Sequence, residues 1–266
     1  LNYYDAHGPY VVPDGFPKEF SGADEEEFRK LVKQYRKVNN NQLRAAGSEL
    51  EEAISKLGQH AYDDCLRYLD ARLAELAAEI ERRGKESGRQ TWLVVTSDHG
   101  EHFGERGLHR HGNSLYRPLT HVPLVIVPLG PGAETIGQRV KVPVSLRDLP
   151  ATFDDLAGNS SIGFPGRSLR RCWTDPEPDA DPVLAELIFH PQMANGNEAG
   201  ADPLGRMHHL LIEDGKSFIE PVPTGEELYD LEGDPLESRN LGATDEGRSL
   251  LQTYREKLRD FLGKPR

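Results

Sequence analysis

Fourteen residues, Asp98 to His111, hold four histidines among three glycines, the densest gathering of carboxylate and imidazole in the chain. They follow Trp92–Val95, a short apolar run rich in β-formers that reads as a strand buried on both faces. The run breaks into Asp98-His99-Gly100-Glu101. An open α/β sheet presents its ligand site at the carboxyl ends of its strands in this way. Neighbouring side chains alternate faces along a regular strand, but where the backbone turns at Gly100 both Asp98 and His99 can converge. A carboxylate oxygen with a neutral imidazole nitrogen suits a divalent cation of intermediate hardness: Ca²⁺, Mn²⁺ or Zn²⁺. Two ligands are too few to hold an ion, so others must come from elsewhere. Taken alone, the pair reads more readily as a local cap beside a satisfied loop histidine, and context has to decide.

The elements that position this stretch follow from periodicity. Ser48-x-x-Glu51 has the form of a capping box and opens a long helix. Tyr62, Leu66, Leu69, Leu73, Leu76 and Ile80 give it an apolar stripe, and it fades at Arg82-Arg83-Gly84. Asp63-Asp64 falls on its solvated face. Helix followed by strand is a unit of a layered α/β fold. Upstream, Leu1–Tyr4 is strand-like and ends in Asp5-Ala-His-Gly-Pro-Tyr10, where Gly8-Pro9 marks a loop that places His7 just past a strand end. Ser21 and Asp24 are helix starts before Phe28, Leu31, Val32, Tyr35 and Val38 at helical spacing. Downstream, Val122–Val127 and Val140–Val144 are strand candidates, and Leu149–Leu156 is a short helix with Pro150 in its first turn and Gly158 beyond its end. From about residue 175 the chain becomes acidic and proline-rich. Strand-like Val183–Ile188, Met207–Glu213 and Lys216–Glu220 follow, the last two joined by Asp214-Gly215, a strong hairpin signal. A final amphipathic helix carries Leu250, Leu251, Tyr254, Leu258, Phe261 and Leu262.

Bulk properties set outer limits. The chain's 266 residues allow one large or two modest domains. Its net charge of −12 argues against binding nucleic acid through the phosphate backbone, which needs a basic footprint, while leaving room for a local basic pocket. Cys65 and Cys172 make no disulfide framework and no C-x-x-C. No apolar run approaches the roughly 18 residues of a membrane span. The chain opens without Met inside a strand-like run, which points to a portion of a longer protein and leaves its compartment unread.

Five motifs in order resemble the sulfatase branch of the alkaline-phosphatase superfamily. They are Asp5-Ala-His-Gly-Pro-Tyr10, Asp98-His-Gly-Glu101 with His111-Gly-Asn-Ser-Leu-Tyr116, the strand Val122–Ile126, Leu149–Gly158 with Phe164–Leu169, and Glu227–Leu241. The resemblance implies an alkaline-phosphatase-like layered sheet with flanking helices, plus a small C-terminal antiparallel sheet and helix. Residues 1–175 would be the C-terminal part of the catalytic α/β domain and 176–266 a small α+β subdomain. It implies Asp98 and His99 as ligands of one divalent ion and His7 as a contact to the sulfate ester. His111 stands where many members have a lysine that assists the leaving oxygen. An imidazole there can supply a proton or hydrogen bond, with a charge that depends on pH. Glu101 is read as a carboxylate orienting a ligand or that lysine. His102, His109 and Arg110 have no counterpart and read as solvated loop residues. Arg167 and the Glu227–Leu241 signature read as structural.

The family's nucleophile comes from a Cys or Ser in C/S-x-P-x-R, which neither Cys65-Leu-Arg-Tyr-Leu69 nor Cys172-Trp-Thr-Asp-Pro176 satisfies. The resemblance therefore implies a metal-dependent hydrolase of sulfate esters, represented by a portion without its nucleophile and inactive alone. The alternatives are a phospho- or phosphonate-ester hydrolase or a phosphoethanolamine or phosphoglycerol transferase of the same superfamily, and a non-catalytic module. The substrate would be a small-molecule or glycan ester.

Overall fold

A computed structural model describes residues 1–22, 30, 33, 48–133, 137–159, 163–175, 178–188, 207–222 and 225–263. The helical periodicity read over residues 24–38, the lysines at 30 and 33 aside, lies outside the described residues. The chain divides into two compact units. One comprises Leu1–Asn113, His121–Thr135 and Ala194–Ala199, the other Ser114–Thr120, Ile136–Met193 and Gly200–Arg266.

The first unit is built on helix α1, Ser48–Ser87. It begins at the expected Ser48 but runs past Gly84 to Ser87. Gly88, with a φ of +70°, ends it in the left-handed conformation that glycine adopts without penalty. Gly84 has a different task. A side chain there would lie 2.9 Å from the Arg89 carbonyl and 3.0 Å from Gly130, so its absence lets helix and strand approach. The buried face is also rotated from the expected stripe. Ile54, Ala61 and Cys65 enclose Tyr10 and Val12, while Leu66 is exposed.

Asp64 does not face solvent as the sequence suggested. It is 2% exposed, and its carboxylate accepts from the backbone N–H groups of Glu19 (2.8 Å), Phe20 (3.1 Å) and Ser21 (3.1 Å) and from the Ser21 hydroxyl (2.5 Å). Burial alone would raise its pKa, but those four donors reverse the sign and hold it below the usual carboxylate range. An irregular segment with three consecutive orphan donors is thus fastened to the helix by one side chain.

Strand β1, Thr91–Thr96, leads out of α1 and opens the site segment. Short strands β2 (His102–Phe103) and β3 (His109–Arg110) pair with each other and fold that segment back on itself. Strand β4, Leu124–Leu129, follows after the one-turn helix α2, Arg117–Thr120, which belongs to the second unit. Among the described residues β1 pairs with β4 alone, antiparallel, Val94 facing Ile126. Trp92–Val95 are consequently half-buried, where the sequence suggested enclosure on both faces. β4 continues through Pro128, which pairs with Trp92 at the sheet edge, where a missing ladder donor is tolerated.

In the second unit Val140–Val144 forms no strand. Pro143 would interrupt a ladder there. Helix α3, Leu149–Leu156, begins after a capping box in which the Ser145 and Asp148 side chains bond each other's backbone turn. The one-turn helix α4 spans Arg171–Thr174. Strands β5 (Val183–Ile188), β6 (Met207–Glu213), β7 (Lys216–Val222) and β8 (Gly225–Asp230) form an antiparallel meander in that order. Asp214 and Gly215 both adopt positive φ, +50° and +68°, at the β6–β7 turn, as the expected hairpin requires. One sheet face packs Leu211, Phe218 and Leu228 against Tyr254 and Leu258 of helix α5, Asp245–Leu262. The other packs Leu210, Ile219 and Tyr229 against Leu115.

Two buried carboxylates of the C-terminal signature close this unit. Glu227 accepts from the hydroxyls of Tyr116 (2.8 Å) and Tyr229 (2.7 Å). Glu237 accepts from the Ser217 hydroxyl (2.7 Å) and the Arg117 backbone N–H (2.7 Å).

Candidate functional site

Past the end of β1 the backbone leaves the sheet at Ser97, whose hydroxyl donates to the His99 carbonyl at 2.7 Å and tightens the turn. Asp98 projects into solvent, 88% exposed, and its Oδ1 accepts from the His99 N–H at 3.1 Å. Its Oδ2 lies 3.9 Å from His99 Nε2. A metal–oxygen bond of about 2.4 Å and a metal–nitrogen bond of about 2.1 Å together exceed that gap, so one ion reaches both atoms. The pair therefore fits a divalent cation as two of its donors. Among the described residues no group of three or more His, Cys, Asp or Glu side chains is arranged to hold a metal.

The turn sets the imidazoles. His99 Nδ1 is 2.9 Å from the Gly100 carbonyl, and His7 Nδ1 is 3.0 Å from the Gly8 carbonyl. His111 Nδ1 is 3.2 Å from each oxygen of the Glu101 carboxylate. Carbonyl and carboxylate oxygens only accept, so in all three rings Nδ1 carries the proton and Nε2 is the nitrogen left for a ligand. The rings gather. His111 stacks on His99 with centroids 4.2 Å apart and meets His7 edge-on at 5.1 Å. His7, His99 and His111, from two loops separated by α1, form one cluster with Asp98 beside it.

Glu101 lies beneath that cluster, its side chain 7% exposed, and also accepts a 2.7 Å hydrogen bond from the Tyr10 hydroxyl. The hydrogen bond to Glu101 raises the His111 pKa above the ordinary imidazole value, burial pulling the other way. Tyr10 was not singled out from the sequence. Its partner stands 91 residues away, and an aromatic after Gly-Pro carries no local sign of it.

His102 and His109 are not solvated. They are 0% and 2% exposed in the β2–β3 bridge, where left-handed Gly104 and Gly107 turn the chain and Asn113 Nδ2 donates to the His109 carbonyl at 2.8 Å. Both cysteines are buried thiols. Burial, with the charges of Asp5 and Asp64, pushes the Cys65 thiol up to about 12, and burial also raises Cys172. In the second unit Arg167 bonds both Asp181 oxygens at 2.9 and 3.1 Å and donates its backbone N–H to Asp148, a structural tie.

Comparison with known proteins adds an independent line. The family model described as Sulfatase matches residues 2–159. The chain is 31% identical over 221 residues to a choline-sulfatase of Rhizobium meliloti (strain 1021) and 29% identical over 222 residues to arylsulfatase K of Danio rerio. These alignments take in 78% and 80% of the chain but only 38% of either relative. Among solved structures, a phosphonate monoester hydrolase of Agrobacterium radiobacter superposes with a TM-score of 0.66 at 21% identity, over 96% of this chain and 54% of that one. A protein solved with its substrate D-glucosamine-2-N,6-O-disulfate superposes with a TM-score of 0.63 at 21% identity, over 89% and 47%. At such identity these superpositions establish the fold, that of alkaline-phosphatase-like sulfatases, mixed α/β with small antiparallel sheets.

Proposed function

The chain belongs to the sulfatase family, and from that premise we propose that it forms the metal-binding and leaving-group half of a sulfate-ester hydrolase site. The observation that carries this is the cluster of His7, His99 and His111, each with Nδ1 occupied and Nε2 left over, beside the exposed carboxylate of Asp98. In this reading Asp98 and His99 hold one divalent ion, Ca²⁺ or else Mn²⁺ or Zn²⁺, whose other donors lie beyond this pair. When bound, such an ion supplies positive charge toward a nonbridging ester oxygen.

His7, when protonated at both nitrogens, donates Nε2–H to the anionic ester group, its Nδ1–H kept on the Gly8 carbonyl. In its imidazolium form, which the neighbouring Glu101 carboxylate favours, His111 donates Nε2–H to the leaving oxygen while Nδ1–H stays on Glu101, and so stabilises charge that develops as the ester bond breaks. The attacking oxygen comes from a nucleophile loop outside this sequence, because C/S-x-P-x-R is absent from it. By itself the chain is inactive. The choline-sulfatase among its relatives and the disulfated glucosamine bound by a structural neighbour support a sulfated small molecule or glycan as the substrate. A phosphonate monoester hydrolase shares the fold, so phosphorus esters are the second reading.

The test is an assay of the complete protein on aryl sulfate, aryl phosphate and aryl phosphonate, before and after chelation and with each metal restored. Sulfate-ester turnover that chelation abolishes supports the proposal. Turnover that chelation leaves intact, or of phosphorus esters alone, overturns it.

A further inference from the structure

We infer that Tyr10 is a positioning residue: through Glu101 its hydroxyl selects the nitrogen that His111 presents to the site. Glu101 Oε2 serves two donors, Tyr10 O–H at 2.7 Å and His111 Nδ1–H at 3.2 Å. An unconstrained carboxylate rotates, and a neutral imidazole exchanges its proton between nitrogens. Which tautomer persists is set by the hydrogen bond that the other nitrogen makes. Here the carboxylate cannot rotate without breaking a short bond to a phenol that is itself immobile.

Three observations fix that phenol. Tyr10 is 3% exposed. Its ring is held edge-on by Tyr62 at 5.7 Å and against Phe103 at 5.8 Å. Its backbone has a φ of +49°, a conformation that residues with a side chain rarely adopt and that the surroundings must impose. Tyr10 also closes the loop that carries His7, donating its N–H to the His7 carbonyl at 3.4 Å. One residue thus joins the His7 loop to the carboxylate under His111. The Glu101–His111 bond lies within the site proposed above, and this inference rests on that reading for its meaning. Its test needs no turnover, so the two fail separately.

The measurement is the side-chain ¹⁵N spectrum of the histidine-labelled complete protein at about pH 9, above the ordinary imidazole range. The wild type is expected to show His111 as the Nδ1–H tautomer by about tenfold or more, as befits a hydrogen bond to a charged acceptor. Glu101→Ala removes the acceptor and should move the proton to Nε2. Tyr10→Phe keeps the ring and its packing but frees the carboxylate, and should cut the Nδ1–H preference at least about threefold while the His102 and His109 signals stay in place. A His111 spectrum unchanged in Tyr10→Phe overturns the role of Tyr10. An Nε2–H tautomer in the wild type, or no change in Glu101→Ala, overturns the arrangement as a whole.

Discussion

Replacing Asp64 by alanine removes an acceptor that serves four donors: the N–H groups of Glu19, Phe20 and Ser21 and the Ser21 hydroxyl. A hydrogen bond to a charged group contributes about 1.5–3 kcal/mol, yet the four share one carboxylate and the freed donors regain some water, so the sum is not four times that. The expected loss is about 3–5 kcal/mol, the range seen when one partner of a buried charged network is deleted. With a urea slope of about 2 kcal/mol/M this moves the unfolding midpoint down by roughly 1.5–2.5 M. Trp92 lies in the same unit and Trp173 in the other. Fluorescence in a Trp173→Phe background therefore follows the relevant transition. The pH dependence has a definite sign. The folded-state pKa of Asp64 lies below its ordinary value, so its contribution is complete above the unfolded pKa near 4 and fades as pH falls through the lower folded value. The gap between wild type and Asp64→Ala should narrow below about pH 4. A loss under about 1 kcal/mol at neutral pH, or a gap that widens on acidification, would refute the reasoning.

Other outcomes follow from the same geometry. Gly130→Ala places a Cβ 2.6 Å from the Arg89 carbonyl at a φ of +100°, and should cost about 2–4 kcal/mol by urea titration, against about 1 kcal/mol for Gly132→Ala. Gly132 also has positive φ, +73°, with nothing near its Cβ, so its smaller loss isolates the backbone share. Glu237→Gln turns an amide N–H₂ toward either the Ser217 hydroxyl or the Arg117 N–H and should destabilise the second unit by about 2–3 kcal/mol, read by Trp173 fluorescence. Asp98→Ala in the complete protein should lower kcat/KM for an aryl sulfate by more than about a hundredfold, and retention within about twofold would remove Asp98 from the ligand set.

What could be read from sequence was what local pattern encodes. Asp214-Gly215 between alternating apolar runs named its turn, because both positions demand positive φ. Ser48 and Leu149–Leu156 announced helices through capping and proline chemistry. Gly88, not Gly84, ends α1, because glycine also serves close approach and composition does not distinguish the two uses. Asp64 was read as solvated because its partners lie 43 to 45 residues away, beyond any helical window. His102 and His109 were read as loop residues because two-residue strands leave no periodicity. Asp98 and His99 could be picked out by residue type at a strand end, and His111 by its place in a motif that resembles the family's. That Glu101 and Tyr10 brace the cluster depends on a contact spanning 91 positions, which one sequence cannot display.

That span also sets an order in time. Synthesis proceeds from the N-terminus at about 5–20 residues per second, so Tyr10 exists for roughly 5–18 s before Glu101 is made. Ser21 waits for Asp64 in the same way, across 43 residues. On a growing chain the loop that carries His7 therefore has neither of its fastenings until α1 and then the segment beyond β1 have emerged. A ribosome stalled before residue 101 holds a nascent chain in which the His7 loop lacks the Tyr10–Glu101 fastening.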